Sequence, residues 1–167
     1  MYCATYSSKR DEDSKKNENL TDNIICDQFS IDISKLINKD GTEDDFRGID
    51  RILPNGETIQ KKNCECCQFD TRYSDTITIP CKNYEEYKQE NIDWIFHSYY
   101  NKNEEDKVRQ WVLIKFDELV IYFDPKRKRR NPKTGTYFYY WPYNHGYIRN
   151  QGVEICILDH AKSYSIP

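Results

Sequence analysis

The turn Pro54-Asn55-Gly56 constrains the fold of this chain more than any other short segment. Proline, asparagine and glycine in this order are typical of a type I turn followed by a left-handed residue, which closes a three-residue hairpin loop. The flanking segments "GIDRIL" and "ETIQKK" carry the β-branched residues expected of strands. Because loop length determines which residues face each other, this turn also sets the register of the hairpin.

The register brings polar groups together on one face of the hairpin. With a three-residue loop, Asp50 lies directly opposite Gln60. Lys62 projects from the same face as Gln60, because side chains alternate along a strand. We therefore expect Asp50, Gln60 and Lys62 to converge. A two-residue loop would instead set Asp50 opposite Lys61 and divide the three groups between the two faces of the sheet.

The segment before the hairpin is predicted to be a helix over residues 23–37. Its apolar residues recur at helical spacing, although "SIDIS" at 30–34 also fits the alternation of a strand; these residues are Ile25, Phe29 and Leu36. On a helical wheel Asp32 falls within this apolar stripe and Asp22 falls at its edge. An acidic side chain in such a position requires a partner, so both are candidate site residues.

After the hairpin, strand patterns alternate with helix patterns. Residues 75–80, "DTITIP", alternate Thr with Ile and predict a strand with one buried face. "YEEYKQEN" is a polar helix or loop, and "DELVIYF" predicts a short helix with Asp117 as its N-cap. Further strands are predicted at "DWIFHSYY", "QWVLIKF" and "VEICILD". The expected fold is α/β, with a mixed central sheet of about five strands and flanking helices.

Composition indicates one domain with a polar extension. The 167 residues suit a single domain. Charged residues make up 32% of the chain, which suggests disorder, whereas 14 tyrosines and 3 tryptophans argue for a packed core. Residues 1–20 hold almost no apolar side chains, so we predict a mobile arm there and a single domain over residues 21–167.

Charge and hydropathy limit the possible locations and partners. A net charge of −3 excludes a uniformly basic nucleic-acid-binding protein but leaves room for a local basic groove. The sequence has no run of about 18 apolar residues, and "MYCATYSSKRDEDSKK" lacks the apolar region of a signal peptide. We expect a cytoplasmic protein without membrane contact and with reduced cysteines. Heavy use of Lys, Asn, Ile and Tyr is typical of AT-rich genomes and fits a phage, in which case the location is the host cytoplasm.

Asp, Gln and Lys on one strand face predict divalent-metal phosphodiester hydrolysis. A hard cation such as Mg²⁺ prefers oxygen ligands, and Asp50 supplies a charged oxygen while Gln60 supplies a neutral one. Lys62 would orient or deprotonate the attacking water, or stabilise charge in the transition state. The alternative is structural, since such residues are also common on the exposed face of a two-stranded ribbon.

These residues also resemble the motifs of a known family. "GID", a turn and then "IQKK" resemble the Asp and (Asp/Glu)-x-Lys motifs of the PD-(D/E)XK nuclease superfamily, and in particular its small phage-borne members. The later segments "DTITI", "NIDWIFHSYY" and "QWVLIKFDEL" follow in a similar order, so the resemblance covers residues 22–120. It implies a restriction-endonuclease-like fold, a Mg²⁺ or Mn²⁺ cofactor, and endonuclease activity on DNA.

The resemblance assigns roles to individual residues. It implies that Asp50 is a metal ligand, that Gln60 takes the acidic position and that Lys62 is the catalytic lysine. It also implies that the Lys61 carbonyl oxygen is a further ligand. An acid from the first helix would complete the site, with Asp32 as the first choice and Asp22 as the second.

Gln60 departs from the family pattern. Its neutral side chain removes a negative charge, which weakens cation binding unless Asp32, Asp45 or another carboxylate compensates. A protein of this fold that binds nucleic acid or a host defence protein without cutting is therefore the alternative function. Many nucleases of this type act as homodimers, because two strands need two sites, but no residue pattern locates a dimer face.

A basic segment supplies the predicted DNA contacts. It lies between two prolines, is followed by the aromatic stretch "TYFYYWPY", and consists of Lys126, Arg127, Lys128, Arg129 and Arg130. Positive charge beside aromatic surfaces suits phosphate contacts and base stacking. The structural alternative is a solvated loop beside aromatic core residues.

Overall fold

The computed structural model describes residues 18–66, 76–101, 104–142, 155–157 and 164–165. Its helices are α1 (18–29), α2 (Glu43–Phe46), α3 (Cys81–Glu90) and α4 (Phe116–Ile121), with a 3-10 helix at Ile33–Lys35. Its strands are β1 (Ile37–Asn38), β2 (Arg51–Ile52), β3 (Thr58–Cys66), β4 (Thr76–Pro80), β5 (Trp94–Asn101), β6 (Glu104–Lys115), β7 (Lys128–Arg130), β8 (Tyr137–Pro142), β9 (Ile155–Ile157) and β10 (Tyr164–Ser165).

Seven strands of the described residues form the large sheet, in the order β1-β2-β3-β5-β6-β10, with β9 also paired to β6. β3 and β5 are parallel, whereas the other pairs are antiparallel. A parallel pair requires a crossover, and here the connection contains β4 and α3. The predicted α/β class, with a mixed sheet and flanking helices, is confirmed. β3 lies between β2 and β5, and its side chains alternate between the two faces of the sheet.

The small sheet, β4-β8-β7, is antiparallel and separate from the large sheet. The strand predicted at 75–80 forms as β4, and Ile77 and Ile79 are buried as its alternation predicts. Its assignment to the central sheet is wrong. One edge of β4 has no strand partner among the described residues and lies against the large sheet, where Tyr99 donates its hydroxyl to the Thr76 carbonyl at 2.6 Å. Alternation indicates a strand but does not identify its partner.

Two hydrophobic cores cover the two faces of the large sheet. Alternate residues of β5 enter different cores, with Ile95 on one side and Phe96 on the other. The first core also contains side chains of β4, β8, α3 and α4, and the second contains Leu20, Ile24 and Ile25 of α1. α1 therefore covers one face, while the small sheet with α3 and α4 covers the other.

The N-terminal boundary differs from its prediction. Residues 18–20 are helical, and Leu20 is buried in the second core. The polar arm predicted over residues 1–20 is therefore wrong for its last three residues, while residues 1–17 lie outside the described part. Among the described residues, no helix is long and apolar enough to cross a membrane.

The helix predicted over residues 23–37 ends earlier than expected. α1 stops at residue 29, and Ser30 follows with a positive φ of 52°. Asp32 then accepts hydrogen bonds from the amide and hydroxyl of Ser34 at 2.8 and 2.6 Å, and caps the 3-10 helix. Such local side-chain bonds compete with helix formation, and periodicity does not register them.

Two predictions in the C-terminal half need correction and one is confirmed. α4 begins at Phe116 with Lys115 at its N-cap, so Asp117 lies in the first turn and is not the cap. Part of the predicted basic loop, Lys128–Arg130, forms strand β7. The strand predicted at "VEICILD" is present over residues 155–157 as β9, and the rest of that segment lies outside the described residues.

Candidate active site

The hairpin has the register that its turn predicts. The Leu53 amide donates to the Glu57 carbonyl oxygen at 2.9 Å, and β2 pairs with β3 accordingly. Gly56 has a positive φ of 90°, the left-handed conformation that this turn requires of its last residue. Three residues outward on each strand, the same register sets Asp50 opposite Gln60.

Asp50 lies directly before β2, with its carboxylate largely buried. Its backbone amide donates to the Ile59 carbonyl at 3.0 Å, and its Oδ2 accepts the Lys61 amide at 2.7 Å. Burial raises the pKa of the Asp50 carboxyl to about 7; the Lys61 hydrogen bond opposes this shift, and neighbouring Asp45 adds to it. Asp50 therefore keeps its proton at pH values where an exposed aspartate is ionised.

Two further aspartates approach Asp50. Carboxylate oxygens of Asp40, Asp45 and Asp50 all lie within 4.8 Å of one another. Asp45 belongs to α2, and its Oδ2 accepts the Gly41 amide at 2.9 Å. Ionised carboxylates at this separation repel each other, and a divalent cation with oxygen ligands relieves the repulsion. The sequence indicates Asp45 as a compensating acid but offers no signal for Asp40, because a loop residue belongs to no periodic face.

Gln60 presents a buried acceptor without a donor. Its Nε2 donates to the Lys61 carbonyl oxygen at 3.0 Å, which fixes the orientation of the amide. Its Oε1 is buried, and no donor among the described residues reaches it. A Cβ placed on Gly48 would lie 3.6 Å from this oxygen, so Gln60 Oε1 points toward the turn that precedes Asp50. The Lys61 carbonyl, predicted as a metal ligand, is engaged by Gln60.

Lys62 shares the Gln60 face of β3, as predicted, but its ammonium group reaches the small sheet. Nζ donates to the carbonyl oxygen and the Oγ1 of Thr78, at 2.9 and 3.1 Å. Burial lowers the pKa of Lys62. The predicted convergence is thus present for Asp50 and Gln60, while the hydrogen bonds of Lys62 go to β4.

His97 of β5 supports the residue that holds Lys62. It is fully buried, and burial followed by the nearby Lys62 charge lowers the pKa of its imidazole well below the ordinary value. The Thr78 amide lies 3.3 Å from Nε2 and can only donate, so Nε2 accepts and the proton resides on Nδ1. Cys64 Sγ lies 3.6 Å from the same nitrogen. A neutral His97 therefore anchors Thr78, and Thr78 holds Lys62.

The acids predicted from the first helix lie outside the aspartate group. Asp32 is exposed, and its hydrogen bonds with Ser34 lower its pKa. Its placement on an apolar helical stripe is wrong, because α1 has already ended. Asp22 accepts from Lys61 Nζ at 2.7 Å, on the face of β3 opposite Gln60. Asp22 therefore neutralises a buried cation, and the structure brings neither acid to Asp50.

Gly48 allows the turn before Asp50 to contact α3. It has a positive φ of 83°, and a Cβ there would lie 2.4 Å from Cε1 of Tyr87. Gly48→Ala is expected to lower the free energy of unfolding by roughly 2 to 4 kcal/mol, because a clash adds to backbone strain; thermal unfolding measures this. Gly41→Ala, at φ 73° with no atom within 4 Å, is the matched control and should lose about 1 kcal/mol. Equal losses would contradict the Tyr87 contact.

The predicted DNA-contacting residues lie on and before one hairpin of the small sheet. Lys128, Arg129 and Arg130 form β7 and are exposed. The Lys126 amide donates to Asp124 Oδ1 at 2.9 Å, and the Arg127 guanidinium lies 3.9 Å from the same carboxylate. The segment predicted as a loop thus contains a strand, and the side chains of Lys128–Arg130 alternate between the two faces of the small sheet.

No protein-family model matches this sequence, and no curated protein is significantly similar to it.

Proposed function

We propose that this protein is a metal-dependent nuclease of the PD-(D/E)XK type, which hydrolyses phosphodiester bonds in DNA with Mg²⁺ or Mn²⁺. The observation that carries the proposal is the group of three carboxylates, whose oxygens lie within 4.8 Å of one another beside the hairpin. Hydrolysis requires that a water oxygen bond to phosphorus while the bond to the leaving oxygen breaks. A bound cation would polarise the phosphoryl oxygen in this step.

The donor chemistry of the site fits a hard cation. Asp40, Asp45 and Asp50 offer carboxylate oxygens, and Asp50 is buried enough that its pKa is raised to about 7. A cation would replace the proton that relieves the repulsion in this group. The donor-less Oε1 of Gln60 offers a neutral oxygen in the position that the family gives to an acid. Asp40 and Asp45 together supply the charge that Gln60 lacks.

Lys62 is assigned the proton-transfer role. The neutral amine is the form of Lys62 that can accept a proton from water. Because the pKa of Lys62 is lowered, a larger fraction of the side chain is in this form at a given pH. Thr78 restricts the position of Nζ through two hydrogen bonds. As the ammonium, the same group stabilises negative charge on the phosphate in the transition state.

The order of elements supports the finer fold assignment. Helix α1 precedes the β2–β3 hairpin, and β5 follows β3 in parallel after the α3 crossover. This is the arrangement that a restriction-endonuclease-like sheet requires around its Asp and Lys strands. We extend the proposal to that fold on this ground. Action as a homodimer, which two cuts on a duplex would require, belongs to the same proposal.

A second candidate function is nucleic-acid or protein binding without cleavage. The observation that favours it is the state of Gln60 and Lys62: one is neutral, and the ammonium of the other is engaged by Thr78. In this case the fold and the basic hairpin serve binding alone. The two candidates differ in whether the protein cleaves DNA.

Cleavage assays separate the two candidates. Linear, nicked and single-stranded DNA are incubated with the protein in Mg²⁺, in Mn²⁺ and in EDTA. Cleavage is expected with metal and is expected to fall by about 10² to 10⁴-fold in Lys62→Ala, the usual contribution of a proton-transfer group. Lys82→Ala, on the exposed side of α3, is the control and should cleave normally. Absence of cleavage in both metals, with DNA still bound, would favour the binding protein.

A further inference from the structure

We propose that one face of the small sheet, formed by Arg129, Phe138 and Tyr140, binds an unpaired nucleic-acid strand and leads it to Lys62. We name these three residues the stacking face. The inference rests on the proposed nuclease function, because it specifies the form of the substrate at the same site.

Strand register connects the stacking face to Lys62. Directly paired residues of antiparallel strands point to the same face of a sheet. Arg129 pairs with Phe138 on β8, and Tyr140 pairs with Thr78 on β4. Thr78 Oγ1 on this face accepts Lys62 Nζ at 3.1 Å. Arg129 lies two strands across and two residues along from Thr78, which is roughly 12 Å at about 4.8 Å per strand and about 3.4 Å per residue.

The chemistry of this face suits bases rather than phosphates alone. The Arg129 guanidinium lies over the Tyr140 ring, with Cζ 4.2 Å from its centroid, and Phe138 beside it is partly exposed. Bases stack on aromatic rings and on guanidinium planes, but in a duplex their faces are already stacked on each other. An aromatic surface therefore selects an unpaired strand.

Charge complementarity also favours a nucleic acid as the occupant. Residues 126–130 are five consecutive cations in a chain whose net charge is −3. Concentrated positive charge in an acidic protein attracts a polyanion and makes its binding dependent on salt. The acidic group lies around Asp50, directly before β2 of the large sheet, so the basic hairpin would hold the strand while the aspartates hold the cation.

The same hairpin contains a matched pair on its other face. Lys128 Nζ lies 4.9 Å from the centroid of the Tyr137 ring. Lys128 pairs with Tyr139, which pairs with the buried Ile79, so this face is the one that packs on the first core. Its chemistry resembles that of the stacking face, but it does not carry the Thr78 side chain that contacts Lys62.

Equilibrium binding in EDTA tests the proposal without turnover. Fluorescence anisotropy of a labelled oligothymidine and of a duplex of equal length gives the Kd for each. Tyr140→Ala and Arg129→Ala are expected to raise the Kd for the single strand at least about fivefold, the lower end for the loss of one base stack. Tyr140→Phe, which keeps the ring, should restore binding. Tyr137→Ala and Lys128→Ala should have smaller effects, although Lys128→Ala removes the same charge as Arg129→Ala.

Two results would overturn the proposal. One is an equal loss in the variants of both faces; the other is a loss for the duplex as large as that for the single strand. Arg129 is exposed, and melting temperatures verify that each variant folds. Absence of cleavage in both metals would remove the proposed function, but a selective binding defect in Arg129→Ala would still support the stacking face.

Discussion

Asp50→Asn is expected to abolish cleavage and, in the metal-free protein at pH 8, to raise the melting temperature by several degrees. The asparagine oxygen can still accept the Lys61 amide that Asp50 Oδ2 accepts at 2.7 Å. The substitution removes a buried charge that repels Asp40 and Asp45. A pKa raised from 3.8 to about 7 corresponds to a cost of up to about 4 kcal/mol for the ionised form. Cleavage assays and thermal unfolding in EDTA measure the two effects.

The pH dependence of this effect has a defined sign. The pKa of Asp50 is higher in the folded than in the unfolded protein, so its stabilising contribution is complete below pH 3.8 and is lost as pH rises through about 7. His97 has the opposite sign, since its lowered pKa reduces stability as pH falls below 6.5. His97 is present in both proteins, so its contribution cancels in the difference in free energy of unfolding between Asp50→Asn and the wild type. This difference should grow from pH 5 to pH 8.

A matched control and a metal titration complete this test. Asp117→Asn, at an exposed position in the first turn of α4, should leave cleavage unchanged. Mn²⁺ at pH 8 should stabilise the wild type, by about 2.7 kcal/mol at a hundredfold excess over Kd, and should stabilise Asp50→Asn much less. An Asp50→Asn variant that cleaves DNA, or that is less stable than the wild type at pH 8, would contradict the assignment.

Arg51→Met is expected to lower the free energy of unfolding by about 3 to 5 kcal/mol, the usual cost of removing one partner from a buried ion pair. Arg51 is 1% exposed and lies on the face of the hairpin opposite Gln60. Its guanidinium donates to Asp22 at 2.9 Å, to Asp40 at 2.8 Å and to Glu18 at 2.7 Å. Although burial disfavours the cation, these bonds raise the pKa of Arg51. Without it, Lys61 is the one cation among the described residues that still pairs with Glu18 and Asp22.

The effect of Arg51 on the site is a second readout. Its Nη1 also donates to the Asp50 carbonyl at 2.8 Å, so it holds both Asp40 and the backbone of Asp50. We expect Arg51→Met to weaken Mn²⁺ binding as well as folding, measured by calorimetry below the melting temperature. Arg47→Met, whose exposed pair with Glu43 measures 3.0 Å, is the control and should cost less than about 1 kcal/mol. Similar losses in the two variants would show that the buried network is not formed.

Local patterns predicted the hairpin and its strand register. Pro54, Asn55 and Gly56 determine a turn through their own backbone preferences, and side chains then alternate outward from it. The opposition of Asp50 and Gln60 therefore needed no information from the rest of the chain. The strands at β4, β5 and β6 were predictable for the same reason, since their periodicity is carried by neighbouring residues.

Predictions that depended on distant contacts were less accurate. Asp32 matched a helical stripe, but its bonds with Ser34 favoured a cap. Asp40 lies near Asp50 because of the conformation of the loop between β1 and α2, and no periodic sequence pattern predicts that conformation. Lys62 shares the face of Gln60 as predicted, yet its ammonium reaches Thr78 because the small sheet stands against β3 and β5.

The sequence by itself determined the hairpin, its register, the α/β class and the residue types available for metal chemistry, because each depends on interactions within a few neighbouring residues. Only the tertiary structure decided which acids join Asp50, which sheet β4 enters and which face of the basic hairpin is shared with Thr78, the partner of Lys62. These depend on contacts between segments far apart in the chain. Such contacts are selected by the burial of apolar side chains and the pairing of buried charges in the whole fold.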